Sequence, residues 1–187
     1  MVRRFKEFQT PPDDDLARCM DRSAAYLAHG QARDLPVAAE LWLALHRQHE
    51  GAAATPEMAR IARECGRLLH FLRRPLAKEV LETAHAYSVE AHGGRSVERA
   101  LVMGCLAPYL DPTEGSIREI EECIAILEEN LSSMEVVLSK EEMKMLLETV
   151  FVLTMCKSQI LKEMGKETLE SIWNSLEDVE ARLKQLK

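Results

Sequence analysis

The sequence contains few aromatic residues and no long apolar run. Its 187 residues include two Trp, three Tyr and four Phe, whereas Leu and Ala are abundant and nine residues are Met. Leu, Ala and Met lose little conformational freedom in helices, while aromatic residues favour strands. No stretch approaches the roughly 20 apolar residues of a membrane-spanning helix, and residues 1–8 carry charges where a secretory signal is apolar. The composition therefore predicts an all-α protein, cytoplasmic or nuclear, with no membrane partner.

The cysteines show no paired spacing. They are spread one to a predicted helix, which indicates neither a disulfide framework nor a zinc site. None lies in a local signature of a catalytic nucleophile. We interpret all five as small buried apolar residues. They are Cys19, Cys65, Cys105, Cys123 and Cys156.

Length and hydrophobic content together predict one domain. A chain of 187 residues with 47% hydrophobic content can bury one sizeable core or one short solenoid without crosslinks. We predict a flexible N-terminus over residues 1–11 and a single helical-repeat domain over residues 12–187. This domain has two subregions, residues 12–110 and residues 113–187.

Charge is divided unevenly along the chain. The net charge is −7, and residues 111–187 hold 17 acidic and 9 basic side chains, whereas residues 1–110 hold 14 acidic and 15 basic ones. Proteins that bind nucleic acid through its phosphates are usually basic or carry a clustered basic patch. The acidic balance argues against a nucleic-acid partner. The shift along the chain indicates either two functional surfaces or two composition regimes in one fold.

Helix-start signals recur at a regular spacing. Proline or hydroxyl residues followed by acidic residues mark helix hairpins that begin near residues 13, 56, 96 and 139. The recurrence of about 40 to 44 residues falls among the periods of helical repeats. The pattern predicts antiparallel helix hairpins that form a short α-solenoid, with a compact helical bundle as the alternative.

Two segments in the second half match the capping box, in which a hydroxyl and a carboxylate satisfy each other's free helix amides. They are Ser116 with Glu119 and Ser139 with Glu142, and both predict a helix start. The helix after Ser139 is apolar around more of its circumference than the others, which predicts a central position.

Residues 77–84 and 91–95 have the spacing of a known repeat family. Ala77, Leu81 and Ala84 follow a small-large-small order in the second helix of a hairpin, and the sequence Ala-His-Gly-Gly-Arg then precedes a new helix. In these features residues 56–110 resemble tetratricopeptide-like repeats of the longer, kinesin-light-chain type. The tryptophan, first-helix tyrosine and closing proline of that family are not in register here. The resemblance implies a TPR-like α-solenoid whose first helices line a groove for a partner protein.

Candidate metal ligands and catalytic groups do not form a complete set. Glu82 and His85 make one Glu-x-x-His unit, of which di-iron bundles use two, and His46 and His49 share a helix face. The chain has no nucleophile elbow and no Gly-rich phosphate loop. We predict that the protein is not an enzyme and holds no metal and no cofactor.

Basic side chains recur at helical spacing on the predicted helix that begins near residue 56. Arg18 and Arg22 add an i, i+4 pair on the first helix of the preceding hairpin. A guanidinium group can bind a carboxylate through two parallel hydrogen bonds. In a solenoid these side chains line one groove, so we predict that they bind a partner protein through an acidic segment. The predicted partner-binding residues are Arg18, Arg22, Arg60, Arg63, Arg67, His70 and Arg74.

Other interpretations of these surfaces stay open. The last five of those residues, which we call the arginine face, form an ordinary solvated surface if carboxylates of the same chain hold their guanidinium groups. The protein is a structural subunit of an obligate complex if its apolar helix seams dock on a partner. The seam of the last predicted helix, which includes Leu176 and Val179, also leaves self-association open.

Overall fold

The computed structural model is all-helical in the part of the chain that it describes. This part comprises residues 53–71, 73–74, 76–133, 138–166 and 169–185. It contains six α-helices and one short 3-10 helix, and no strand, which confirms the predicted fold class for these residues. None of these helices has the length and apolar character needed to cross a membrane. The predicted flexible N-terminus, residues 1–11, and the first predicted hairpin lie outside the described residues.

The six helices fall into two compact units of the chain, Met1–Ala91 and His92–Lys187, which we call unit 1 and unit 2. The single domain predicted over residues 12–187 stays a prediction. In chain order the helices are α1 (Pro56–Phe71), α2 (Ala77–His92), α3 (Val97–Leu106), α4 (Glu114–Ser132), α5 (Lys140–Glu163) and α6 (Leu169–Gln185), with the 3-10 helix at Ala107–Tyr109.

Three of the predicted helix starts are confirmed by side-chain caps. Thr55 Oγ1 accepts a hydrogen bond from the Met58 amide at 3.2 Å at the start of α1. Ser96 caps α3 in the same way. Ser139 and Glu142 form the complete capping box of α5, and the hydrogen bonds from Ser139 lower the pKa of the Glu142 carboxyl. These caps satisfy amides that have no partner within the helix.

The capping box predicted for Ser116 and Glu119 is wrong. Helix α4 begins earlier, and Thr113 Oγ1 caps it by accepting a hydrogen bond from the Ser116 amide at 3.1 Å. Ser116 lies inside the first turn, where its hydroxyl donates to the Asp111 carbonyl at 2.7 Å. A second hydroxyl residue three positions upstream therefore took the N-cap position.

Helices α1 and α2 form an antiparallel hairpin in unit 1. Gly66 of α1 lies against Leu81 of α2, while the Ala54 amide before α1 donates a hydrogen bond of 2.9 Å to Glu90 Oε1 near the end of α2. An apolar stripe of α1 faces the core, because Met58, Ile61, Cys65 and Leu68 are at most 2% exposed. The opposite side of α1 is therefore left to polar side chains.

Every glutamate of α4 forms an ion pair with a cation from another part of unit 2. The pairs are Glu114–Lys166, Glu119–Arg99, Glu121–Lys157, Glu122–Arg99, Glu128–Arg182 and Glu129–Arg95. Glu114 and Glu121 meet Lys166 and Lys157 in reverse order along the chain, so α4 and α5 are antiparallel. Each exposed pair contributes little alone, and the set fixes the register of α4 against its neighbours.

Arg99 is the most buried of these cations, with 8% of its surface exposed. Its Nη1 donates to the Gly94 carbonyl at 2.6 Å, and its guanidinium lies 3.4 Å from Glu122 and 3.5 Å from Glu119. A buried charge requires such partners. Arg95 and Arg99 reach Glu129 and Glu122 in reverse order, which makes α3 and α4 antiparallel.

Helix α5 is central in unit 2, as the breadth of its apolar surface predicts. It contacts α3, α4 and α6 as well as the 3-10 helix. It buries Leu146, Leu147, Val150, Leu153 and Ile160. The seam residues Leu176 and Val179 of α6 are also buried.

We predict that Gly66→Ala destabilises the protein by about 1–3 kcal/mol, which is typical of overpacking in a core. A Cβ at this position would lie 2.5 Å from Leu81 Cδ2 and 3.4 Å from the Leu81 backbone nitrogen, and Leu81 is fully buried. Denaturant unfolding of the full chain measures the change.

Gly115→Ala is the control, because the nearest atom to its added Cβ is Thr113 Oγ1 at 3.6 Å. We expect that variant to be as stable as the wild type or slightly more stable. Equal effects of the two substitutions would contradict the close approach of α1 and α2.

Candidate functional site

The arginine face lies on α1, on the side opposite the buried stripe. Its residues are not equally accessible. The side chains of Arg60 and Arg67 are 40% and 44% exposed, whereas that of Arg63 is only 13% exposed. Arg74 follows the helix and is exposed. The accessible arginines are thus Arg60, Arg67 and Arg74, which recur every seven residues, or about two helical turns.

Two glutamates of α1 hold the guanidinium groups of the arginine face. Arg60 Nε donates to Glu57 Oε2 at 3.1 Å, and its Nη2 donates to Glu57 Oε1, so this pair is bidentate. Glu64 Oε2 accepts from Arg67 Nε at 2.9 Å, and Glu64 Oε1 lies 3.1 Å from Arg63 Nη2. The hydrogen bond from Arg60 lowers the pKa of the Glu57 carboxyl. Acidic and basic groups therefore alternate along this side of α1.

The arginine face is consequently less basic than its arginine content indicates. Carboxylates of the same chain form ion pairs with Arg60, Arg63 and Arg67. This observation counts against a surface whose guanidinium groups are available to a partner without exchange. Burial lowers the pKa of His70, which favours its neutral form near pH 7. Arg18 and Arg22 lie outside the described residues. Partner binding by the arginine face stays a prediction, and a partner must exchange its carboxylates for those of Glu57 and Glu64.

The turn after α1 holds an arginine in a backbone conformation that favours glycine. Arg73 has a φ of 52°, and the Arg74 amide donates to the Leu69 carbonyl at 2.8 Å while the Arg73 amide donates to the His70 carbonyl at 2.9 Å. These are the two hydrogen bonds of a Schellman motif. Helix α5 ends in the same motif with Gly165, φ 70°, at the equivalent position. A side chain with a Cβ costs about 1–2 kcal/mol in this region.

Three of the described cysteines, Cys65, Cys123 and Cys156, are poor nucleophiles. Burial raises the pKa of the Cys65 thiol to about 12, and burial is also the main cause that raises those of Cys123 and Cys156 to about 11. The reactive thiolate is therefore scarce at neutral pH. The prediction that all the cysteines are buried is wrong for Cys105 and Cys156, which are partly exposed, while Cys19 lies outside the described residues.

The Glu-x-x-His unit on α2 is part of the surface. Glu82 is exposed and lies 3.8 Å from Lys78 one turn earlier. In the part of the chain that the structure describes, no three His, Cys, Asp or Glu side chains come together as a set of metal ligands. His46 and His49 fall outside that part.

A second candidate surface, which the sequence analysis missed, lies on α5. Among the described residues only four large apolar side chains are clearly exposed, and three of them lie on this helix. Met145, Val152 and Met155 are 40%, 38% and 44% exposed, and their spacing of seven and three residues places them on one side. We call these three residues the α5 ridge. The unusual breadth of apolar residues in α5 was the sequence signal, because a helix buries only the faces that its neighbours cover.

We predict that Arg73→Gly stabilises the protein by about 1 kcal/mol, since glycine relieves the cost of positive φ and keeps the Schellman hydrogen bonds. Gly165→Arg places the same side chain in the same motif after α5, and we expect a loss of similar size. Denaturant unfolding of both variants measures the two changes. If Arg73→Gly destabilises the protein instead, the Arg73 side chain makes a contact whose stabilisation exceeds the cost of the positive φ.

Comparison of the chain with family models, curated proteins and solved structures finds no match. The resemblance of residues 56–110 to tetratricopeptide-like repeats therefore stays a prediction. Two surfaces of the described residues are candidates for function, the arginine face of α1 and the α5 ridge.

Proposed function

We propose that the protein is an adaptor or scaffold that binds a partner protein through an acidic segment, by means of the arginine face. In this proposal the helix pairs form a TPR-like solenoid, α1 lines its groove, and the protein acts by binding without catalysis. The observation that carries the proposal is the accessibility of Arg60 and Arg67 at a seven-residue spacing. Each offers a planar donor group for a carboxylate.

The intrahelical pairs permit this binding because they are weak. Exposed ion pairs contribute roughly 0–1 kcal/mol to stability, so a partner carboxylate can replace Glu57 at small cost. The Arg60–Glu57 pair is exposed, with side chains 40% and 51% exposed, whereas the Arg67–Glu64 pair is partly buried because the Glu64 side chain is only 19% exposed. Arg63 supports the face differently, because its largely buried side chain stays beside Glu64.

The spacing of the arginines defines the kind of acidic segment. Seven residues of α-helix advance about 10 Å, so Arg60 and Arg67 match acidic side chains about 10 Å apart on the partner. An acidic helix with carboxylates two turns apart provides this distance, as does a polyproline II segment with carboxylates three residues apart, about 9 Å along its axis. The exposed Arg74 after α1 continues the series.

The alternative function, a structural subunit of an obligate complex, has one observation in its favour. Met145, Val152 and Met155 expose apolar surface on α5. The described part of the α6 seam argues against it, because Leu176 and Val179 are buried within the chain. An obligate subunit aggregates or unfolds without its partner, whereas an adaptor sediments as a single species.

We predict that Arg67→Glu weakens binding of a fluorescein-labelled oligoglutamate peptide several-fold, because the substitution places a carboxylate where the peptide's carboxylates bind. Fluorescence anisotropy with the full chain measures the affinity. Wild-type affinity should fall as salt is raised, because the contacts are exposed charges.

Lys78→Glu is the matched control for this measurement. Lys78 has a side chain 47% exposed, close to the 44% of Arg67, and it too is paired with a glutamate of its own helix. The two substitutions change net charge equally, so net charge alone would weaken binding equally. Identical affinities for both variants would rule out the arginine face as the binding site.

A further inference from the structure

The α5 ridge is a row of three exposed apolar side chains on one side of the helix. Met145 and Met155 are ten residues apart, which spans about 15 Å along the helix, and Val152 lies between them. Isolated exposed apolar residues are common on proteins, but three on one side of one helix form a stripe that favours contact with another apolar surface. Methionine suits such contacts because its side chain is flexible and polarizable.

Acidic side chains accompany the ridge. Glu141, Glu148 and Glu163 lie on the same side of α5, because each is separated from Met145 or Val152 by close to whole turns. All three are exposed. Lys144 and Lys162 lie on the side of the helix that carries Met155, from which they are separated by about three and two turns, and Lys144 lies 3.7 Å from Glu148. Three acidic and two basic side chains thus line the ridge, and the surplus of exposed charge there is acidic.

Unit 2 as a whole reinforces this sign. It holds 18 acidic and 11 basic side chains, and the ion pairs of α4 engage six of the acids with five of the bases. Of the side chains that these pairs do not engage, 12 are acidic and six are basic, so the surplus of negative charge lies among them. Such a field attracts cationic partners and repels anionic surfaces, including membranes.

A second copy of this chain does not fit the ridge. Antiparallel docking centred on Val152 places Glu141 of one copy against Glu163 of the other at both ends, and parallel docking places each glutamate against itself. Both arrangements oppose like charges.

We propose that the α5 ridge binds a basic amphipathic helix of another protein. The apolar face of that helix packs on Met145, Val152 and Met155, and its lysine or arginine side chains lie beside Glu141, Glu148 and Glu163. This site is separate from the arginine face, and it takes a partner of opposite charge. The protein then joins an acidic segment, bound by unit 1, to a basic helix, bound by unit 2.

The probe for this proposal is a labelled peptide of leucine and lysine arranged as an amphipathic helix, with a peptide of the same composition in scrambled order as its control. Fluorescence anisotropy with the full chain measures both affinities. We expect the amphipathic peptide to bind more tightly than the scrambled one, and Val152→Ser to weaken its binding several-fold.

Val89→Ser is the matched control, because Val89 and Val152 are both helical valines that are 38% exposed. We expect it to bind the amphipathic peptide as the wild type does. A second pair of variants tests the charges: Glu148→Gln should weaken binding more than Glu79→Gln, which removes an exposed carboxylate from α2. Circular dichroism of each variant checks that helix content is unchanged.

Two results would overturn the proposal. Equal binding by Val152→Ser and Val89→Ser, or by the amphipathic and scrambled peptides, would show attraction by net charge without a site. A wild-type dimer in sedimentation that Val152→Ser converts to a monomer would assign the ridge to a second copy. Neither result bears on the oligoglutamate measurement, so the two proposals fail independently.

Discussion

The burial of one apolar stripe from each helix is the constraint on which the described structure depends. Helix α4 shows it most completely, because Ile117, Ile120, Cys123, Ile126 and Leu127 are buried while all six of its glutamates pair with cations of other elements. Helical periodicity places these two sets on different sides. The apolar contacts supply most of the favourable free energy, and the ion pairs set register. Part of the negative charge in the second half of the chain is therefore neutralised by ion pairs within unit 2. Only the remaining carboxylates can attract a partner.

The same constraint explains why the two candidate surfaces differ. On α1 the buried stripe leaves a polar side on which Glu57 and Glu64 neutralise much of the arginine charge, so recognition there requires exchange of carboxylates. On α5 the apolar residues extend beyond what α3, α4 and α6 cover, so the ridge of Met145, Val152 and Met155 stays at the surface. One surface offers paired charges and the other offers apolar contact with an acidic border. The two proposed sites therefore suit partners of different chemistry.

Sequence patterns predicted the local features well and the burial of individual side chains poorly. Thr55, Ser96 and Ser139 cap helices as expected, because capping depends on a few neighbouring residues. The cap predicted at Ser116 is wrong because Thr113, three residues earlier, is also a favourable N-cap residue and takes that position. The pairs of Glu57 with Arg60 and of Glu64 with Arg67 were readable from their spacing of three residues. The sequence does not predict the burial of Arg99 or the exposure of Val152, since both depend on which helices pack against α3 and α5.

Methyl NMR of the full chain labelled at methionine tests the central claim most directly, with oligoglutamate and the amphipathic leucine–lysine peptide added in succession. Met145 and Met155 are exposed on the ridge, whereas Met58 on α1 and Met103 on α3 are buried. The account predicts that the leucine–lysine peptide shifts the signals of Met145 and Met155, whether or not oligoglutamate is bound, and that oligoglutamate leaves both unchanged. Shifts of the same methionine signals by both peptides would contradict two separate surfaces.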